Sequence, residues 1–194
     1  MSSVANSDID IASRGLILIG ANPITSFSAD STEALVADNI YEDTVRTALC
    51  TTRWRFATNQ AELNRLTNAP TGRFDAAYQI PADNLMVHAV TIDDQLIAYT
   101  IYGDLIFCNE STSSTLVIDY TFRALETDFP SYFTIAVEYT LAASFALAIA
   151  RDDQMAQMME RKAQLLMQQA KTLDAQQQTT RKLTTSRFIT ERRS

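Results

Sequence analysis

"TLVIDYTFRALETDFPSYFTIAVEYTLAASFALAIARDD", Thr115–Asp153, changes its period in the middle. In the first part Leu116, Ile118, Tyr120 and Phe122 alternate with Val117, Asp119 and Thr121. A period of two sends successive side chains to opposite faces, which predicts a strand of an antiparallel sheet with one buried face. Beyond Phe129 the alternation stops and helical spacing takes over. Pro130 stands near the first turn, where its missing N–H leaves no bond unmade. The most apolar run, Tyr139–Ala150, lies between Glu138 and Arg151. It falls short of the roughly 20 residues needed to span a bilayer, so it is expected to be a core helix buried on most of its circumference.

The same test extends upstream. "YQIPADNLMVHAVTI", "QLIAYTIYG" and "DLIFCN" also read as strands, separated by Pro81, Gly103-Asp104 and "NESTSS". Before Tyr78 the stretch "NRLTNAPTGRF" has no period and reads as a connecting loop. Two helices are expected in the N-terminal part. In the first, from about Asp8 to Ile19, Ala12, Leu16 and Ile19 share a face, Gly20 supplies the left-handed C-terminal residue and Pro23 blocks continuation. In the second, from about Ser31 to Cys50, Asp30 and Glu33 form a capping box, and Ala34, Ala37, Tyr41, Val45 and Ala48 trace a stripe. A last helix, from about Asp152 to Gln178, carries Met155, Met159, Ala163, Leu166, Ala170 and Leu173 on one face.

These periods predict an α+β fold, mainly α. Residues 1–74 and 123–178 would be largely helical, 75–122 antiparallel and β-rich, and 179–194 a mobile basic C-terminal tail. The net charge of −7 is unevenly spread. From Gln176 onward Arg181, Lys182, Arg187, Arg192 and Arg193 face only Glu191, a balance of +4 that leaves −11 for the rest. Such a tail seeks an acidic partner, protein or nucleic acid, unless it is simply a solvated terminus. The body's charge disfavours direct nucleic-acid binding, because phosphate contacts need Lys and Arg.

Catalytic and metal chemistry find no pattern to rest on. His88 is the only histidine and has no Ser or Cys motif around it. Cys50 and Cys108 lie outside any CxxC spacing and read as buried thiols of a reducing compartment. The acid pairs Glu42-Asp43, Asp93-Asp94 and Asp152-Asp153 sit where caps and solvated turns are expected. Gly20 is followed by neither a second Gly nor a Gly-Lys-Ser/Thr, so no phosphate loop is present. The start, "MSSVANSDID", lacks the basic and apolar regions of a signal peptide.

Several motifs in order resemble a known family. "LILIGANPITSFSADSTEA" carries Ile19-Gly20 where the family has Leu-Gly, then Pro23-Ile24-Thr25-Ser26 and Asp30-Ser31-Thr32-Glu33-Ala34. Tyr41 and Arg46 fit a Tyr-x-x-x-Arg pattern loosely, one residue too far apart. "WRFAT" from Trp54, "AYQIPADNLMV" and the strand and helix of Leu116–Ala150 follow. Over roughly Ile9–Asp152 the chain resembles the tail tubular protein A group, the head-to-tail adaptor proteins of short-tailed bacteriophages.

The resemblance implies a helical bundle, residues 1–74 and 123–178, with residues 75–122 inserted as a β-rich subdomain. It also implies a structural virion protein of the phage tail or neck, assembled in the host bacterial cytoplasm. It would be no enzyme and need no cofactor, metal or small-molecule substrate. It would form a homo-oligomeric, dodecameric ring beneath the portal protein, extend the DNA channel, and offer a platform to a tail nozzle protein and tail fibres. Genomic DNA would pass without sequence-specific binding. In related adaptors the C-terminal segment reaches the portal, which makes Arg181, Lys182, Arg187, Phe188, Arg192 and Arg193 the candidate portal-binding residues. The alternatives are a head-completion or stopper protein of a long-tailed phage, a tail-associated polysaccharide hydrolase, and a small DNA-binding regulator.

Overall fold

The computed structural model describes residues 5–67, 73–110 and 115–177. Helix α1, Asp8–Leu18, starts at Ser7, whose hydroxyl accepts the Asp10 N–H at 3.1 Å. It buries Ile11, Ala12 and Leu16. Gly20, at φ 77°, closes it: its N–H donates to the Ile17 carbonyl, and the Ala21 N–H to that of Leu16. This pair of bonds is a Schellman motif, which needs the left-handed residue. Ser13 then clamps the loop after Pro23, its Oγ donating to the Ile24 carbonyl at 2.8 Å and accepting the Ile24 N–H at 3.2 Å.

Helix α2, Thr32–Cys50, buries Ala34, Ala37, Tyr41, Val45 and Ala48 on the predicted stripe. Its cap is Ser31, which accepts the Ala34 N–H at 3.1 Å. The Asp30 capping box is therefore corrected. Asp30 lies one residue too early, and Glu33 falls at the second helical position, where it cannot reach back as the box requires. After α2 the Trp54 indole N–H donates to the Ala48 carbonyl at 2.9 Å, and a 3-10 turn, Arg55–Ala57, follows.

The strands are β1 (Thr58–Leu63), β2 (Ala76–Gln79), β3 (Asn84–Ile92), β4 (Gln95–Leu96), β5 (Thr100–Tyr102), β6 (Leu105–Cys108) and β7 (Leu116–Phe122). They build two antiparallel sheets, ordered β1-β7-β3-β4 and β2-β6-β5. Asp93 and Asp94, both at positive φ, form the two-residue turn between β3 and β4. One apolar core lies between the sheets, with Leu63, Val90, Leu116, Ile118 and Tyr120 from the larger and Ala76, Tyr78, Ile106 and Cys108 from the smaller.

Helix α3, Ser131–Phe145, runs into a π turn, Ala146–Ala150. Arg151, at φ 53°, reverses the chain, and Asp152 caps helix α4, Asp153–Gln176, by accepting the Gln154 and Met155 N–H groups at 3.0 Å. Ser131–Ala150 is, counted in full, long and apolar enough to cross a membrane, a correction to the shorter run weighed from sequence. Half of it is buried inside the protein, and Phe133, Val137, Leu141 and Phe145 belong to the helical core with Ile11, Leu16, Val45 and Trp54.

The expectation of a mainly α bundle with a small inserted β subdomain is overturned. Among the described residues four helices stand beside two antiparallel sheets, 49% helical and 22% strand: a mixed α/β fold. The decisive difference is β1, which pairs with β7 from Thr58↔Thr121 to Leu63↔Leu116. Its sequence, "TNQAEL", has no apolar alternation because it is an edge strand that buries only Leu63 fully. The larger sheet thus follows α2 after one 3-10 turn and ends, through β7, in the short segment that leads into α3. Phe122 packs against both cores.

The stripe of α4 is also corrected. Met159, Ala163 and Ala170 are buried, but so are Ala156 and Asp174, whereas Leu173 is 46% exposed. Helix α4 packs chiefly on α3, and small alanines set that close contact, so the buried face is rotated toward Ala156 and Asp174 and away from Leu173, while Met159 stays buried and Met155 packs against the core.

Candidate interaction surfaces

The residues predicted to bind a partner, Arg181, Lys182, Arg187, Phe188, Arg192 and Arg193, lie outside the described residues. Three arrangements inside them bring polar or apolar groups together. None was legible as a unit in the sequence.

The first is a polar cluster at the junction of α2, β7 and α3. Arg123, just beyond β7, places Nη2 2.9 Å from Glu42 Oε2 and 2.6 Å from Glu126 Oε1, while its Nε lies 3.1 Å from both Glu42 oxygens. Tyr41 donates its hydroxyl to Glu126 Oε1 at 3.2 Å, and Arg46 reaches Glu42 Oε1 at 2.6 Å. Burial opposes the charge on Glu42, but the hydrogen bonds from Arg123 and Arg46 outweigh it and hold the carboxyl below its usual range. Burial, then the charge of Glu126, pushes the Tyr41 hydroxyl well above its ordinary value, so it stays protonated. Asp8 and Asp38 line a hollow of about 260 Å³ beside these groups. The cluster can fix the angle between helix and sheet, because a bidentate arginine pair constrains direction as well as distance.

The second crosses β1, β7 and β3. His88 Nε2 lies 2.7 Å from Thr121 Oγ1, Arg53 Nη2 lies 2.7 Å from Asp119 Oδ2, and Gln60 donates to Asp119 Oδ1 at 2.9 Å. The sequence signal was the alternation that sets Asp119 and Thr121 on one face. What it lacked was β1, which carries Gln60. Desolvation, followed by the charge of Arg53, lowers the His88 pKa against the opposing pull of Asp119. Thr121 is fully buried, so its hydroxyl is not presented to a substrate.

No known protein family matches this chain, and no curated protein matches it either. The motifs of the adaptor resemblance can still be located. Gly20 and Ile24 make the Schellman turn and the Ser13 clamp, Ser31 caps α2, and Trp54 with Phe56 packs against Phe133 at ring distances of 5.1 and 5.0 Å. The glycine turn and the serine cap end one helix and start the next, and the Ser13 clamp and the aromatic contacts hold one segment against another. Among the described residues no group of three or more His, Cys, Asp or Glu side chains is placed to hold a metal ion. Cys50 is half-buried and Cys108 buried, both free, with burial raising each thiol pKa.

The third arrangement is an open groove of about 700 Å³ between α2, α3 and α4. Ile40, Ala48, Ala143, Ala163 and Met167 give it an apolar floor, and Asp43, Glu160 and Lys171 stand along its walls. Lys171 Nζ lies 3.4 Å from the Thr51 carbonyl. At the end of α4, buried Asp174 accepts the Arg55 N–H at 3.1 Å and the Tyr132 hydroxyl at 2.9 Å, which anchors the helix to the turn after Trp54.

Proposed function

We propose that this chain is a structural protein of a short-tailed bacteriophage virion, a head-to-tail adaptor that forms a ring beneath the portal. The observation that carries the reading is the order of the motifs from Ile19-Gly20 to Leu116–Ala150, whose residues serve joints between elements. An adaptor needs such joints, since its task is to hold fixed angles between a portal, a nozzle and tail fibres. The acidic body would flank the DNA channel and discourage sticking, because like charges repel phosphate. The basic segment after Gln176 would engage the portal, and repetition around a ring multiplies a weak contact through effective concentration.

The test mixes the purified chain with its portal and follows co-sedimentation and electron microscopy. The full chain is expected to form rings on portal. A chain ending before Arg181 is expected to keep its circular-dichroism spectrum and lose portal binding. Unchanged binding by the truncated chain removes the role of the tail, and absence of any ring removes the adaptor reading.

A further inference from the structure

Helix α4 carries two surfaces that its own fold leaves uncovered. One is the wall of the groove, formed by Glu160, Gln164, Met167, Gln168 and Lys171. The other is an exposed stripe in which Met158 is 59% and Leu165 48% accessible. At 100° per residue Met158 and Leu165, seven apart, point nearly the same way, and the groove wall faces roughly 130° away from them. Arg161 and Lys162, both exposed, flank the stripe, and no acid lies between Met158 and Leu165 on that face. The groove presents two acids, Asp43 and Glu160, against one cation, Lys171, whose Nζ lies 3.4 Å from the Thr51 carbonyl, so its balance beside the apolar floor is acidic.

We propose that the stripe of one copy of this chain seats in the groove of another. Met158 and Leu165 would cover the floor at Ile40, Ala143 and Met167, and Arg161 and Lys162 would meet Asp43 and Glu160. Both the apolar match and the opposite charges are needed, since apolar burial supplies the attraction and charge selects the orientation. Because stripe and groove are different surfaces of the same subunit, the contact is heterologous. A copy that fills its neighbour's groove still has its own groove open. Such contacts propagate head to tail and end only when the rotation closes a ring. The inference rests on the ring reading above and names the surface by which the ring would form.

Sedimentation velocity of the full chain over a concentration series tests it. The wild-type chain is expected to grow beyond dimer as concentration rises, and less so at high salt, since exposed pairs are screened. Leu165→Glu spoils only the stripe, and Thr47→Trp fills only the groove. Both positions are exposed, so unchanged circular dichroism is expected for each. Each variant alone should stay monomeric. Mixed in equal amounts, they should form one-to-one dimers and nothing larger, because only one productive pairing survives. Self-assembly of either variant, or a mixture without dimers, overturns the interface. A wild-type chain that stays monomeric yet co-sediments with portal overturns this interface and leaves the adaptor reading. A chain that assembles but ignores portal does the reverse.

Discussion

His88 and Gly15 show how much a single side chain, or its lack, depends on neighbours distant in sequence. His88 is the only histidine, so one imidazole signal in an NMR titration reports it directly. Its midpoint is expected below the ordinary value of about 6.5. A histidine with a lowered folded pKa binds fewer protons folded than unfolded. Stability should therefore fall as pH drops through about 6.5 toward the folded midpoint, and be unaffected by this group above that window. His88→Gln should remove that part of the slope in denaturant melts at stepped pH. Gly15 sits in α1 where an added Cβ would lie 3.1 Å from Phe145 Cε2 and 3.3 Å from both the Glu138 carbonyl oxygen and Leu141 Cβ. Alanine favours helix by about 1 kcal/mol. Overpacking costs about 1–3 kcal/mol where the neighbours do not give, and because one of them is an α3 backbone oxygen this term is expected to win. Gly15→Ala is expected to lower unfolding stability by about 1 kcal/mol, and an increase would show that α1 can shift from α3. Nothing in "SRGLIL" announces this contact, because it is made by residues more than a hundred positions away.

At the scale of elements, the boundary of α2 separates two readings of one loop. If Ser31 is the cap, Ser31→Ala should cost about 1 kcal/mol and Asp30→Ala less than about 0.5 kcal/mol in the same chemical denaturation series. The opposite order would restore the Asp30 box. The helical stripes of α1 and α2 were legible because each buries one continuous face, and every residue named from spacing is buried, though Ile11, Gly15 and Leu49 are buried beside them. Strand β7 was legible for the same reason, with Leu116, Ile118 and Tyr120 inward. Strand β1 was not, since an edge strand with one buried side chain leaves no period to read. The face of α4 was misplaced by part of a turn: Met159, Ala163 and Ala170 lie on it as read, but Ala156 and Asp174 share it in place of Leu173, because alanine allows α3 to approach where no long apolar residue marks the contact. Its anchor, Asp174, is a buried carboxylate that spacing alone would assign to solvent.

For the whole molecule, the larger sheet joins both halves of the helical layer. A small insertion could be removed without harm. Here, replacing residues 75–122 by a short linker would strip β1 of β7 and take Leu85 and Phe122 from the helical core. The shortened chain is expected to lose its cooperative thermal transition by circular dichroism and to aggregate in sedimentation; a monomer with a sharp transition would revive the idea of an independent bundle. The sequence by itself determined where the period is two and where it is 3.6, which glycine ends α1, which faces of α1, α2 and β7 are buried, and how charge divides between body and tail. Those features are local, set by neighbours within a turn or a pair of residues. Only the tertiary structure decided that β1 exists, that Arg123 gathers Glu42 and Glu126, that His88 meets Thr121, and that α4 leaves a groove on one side and a bare stripe on another. These depend on which distant residues arrive at the same place, and a one-dimensional period carries no record of that.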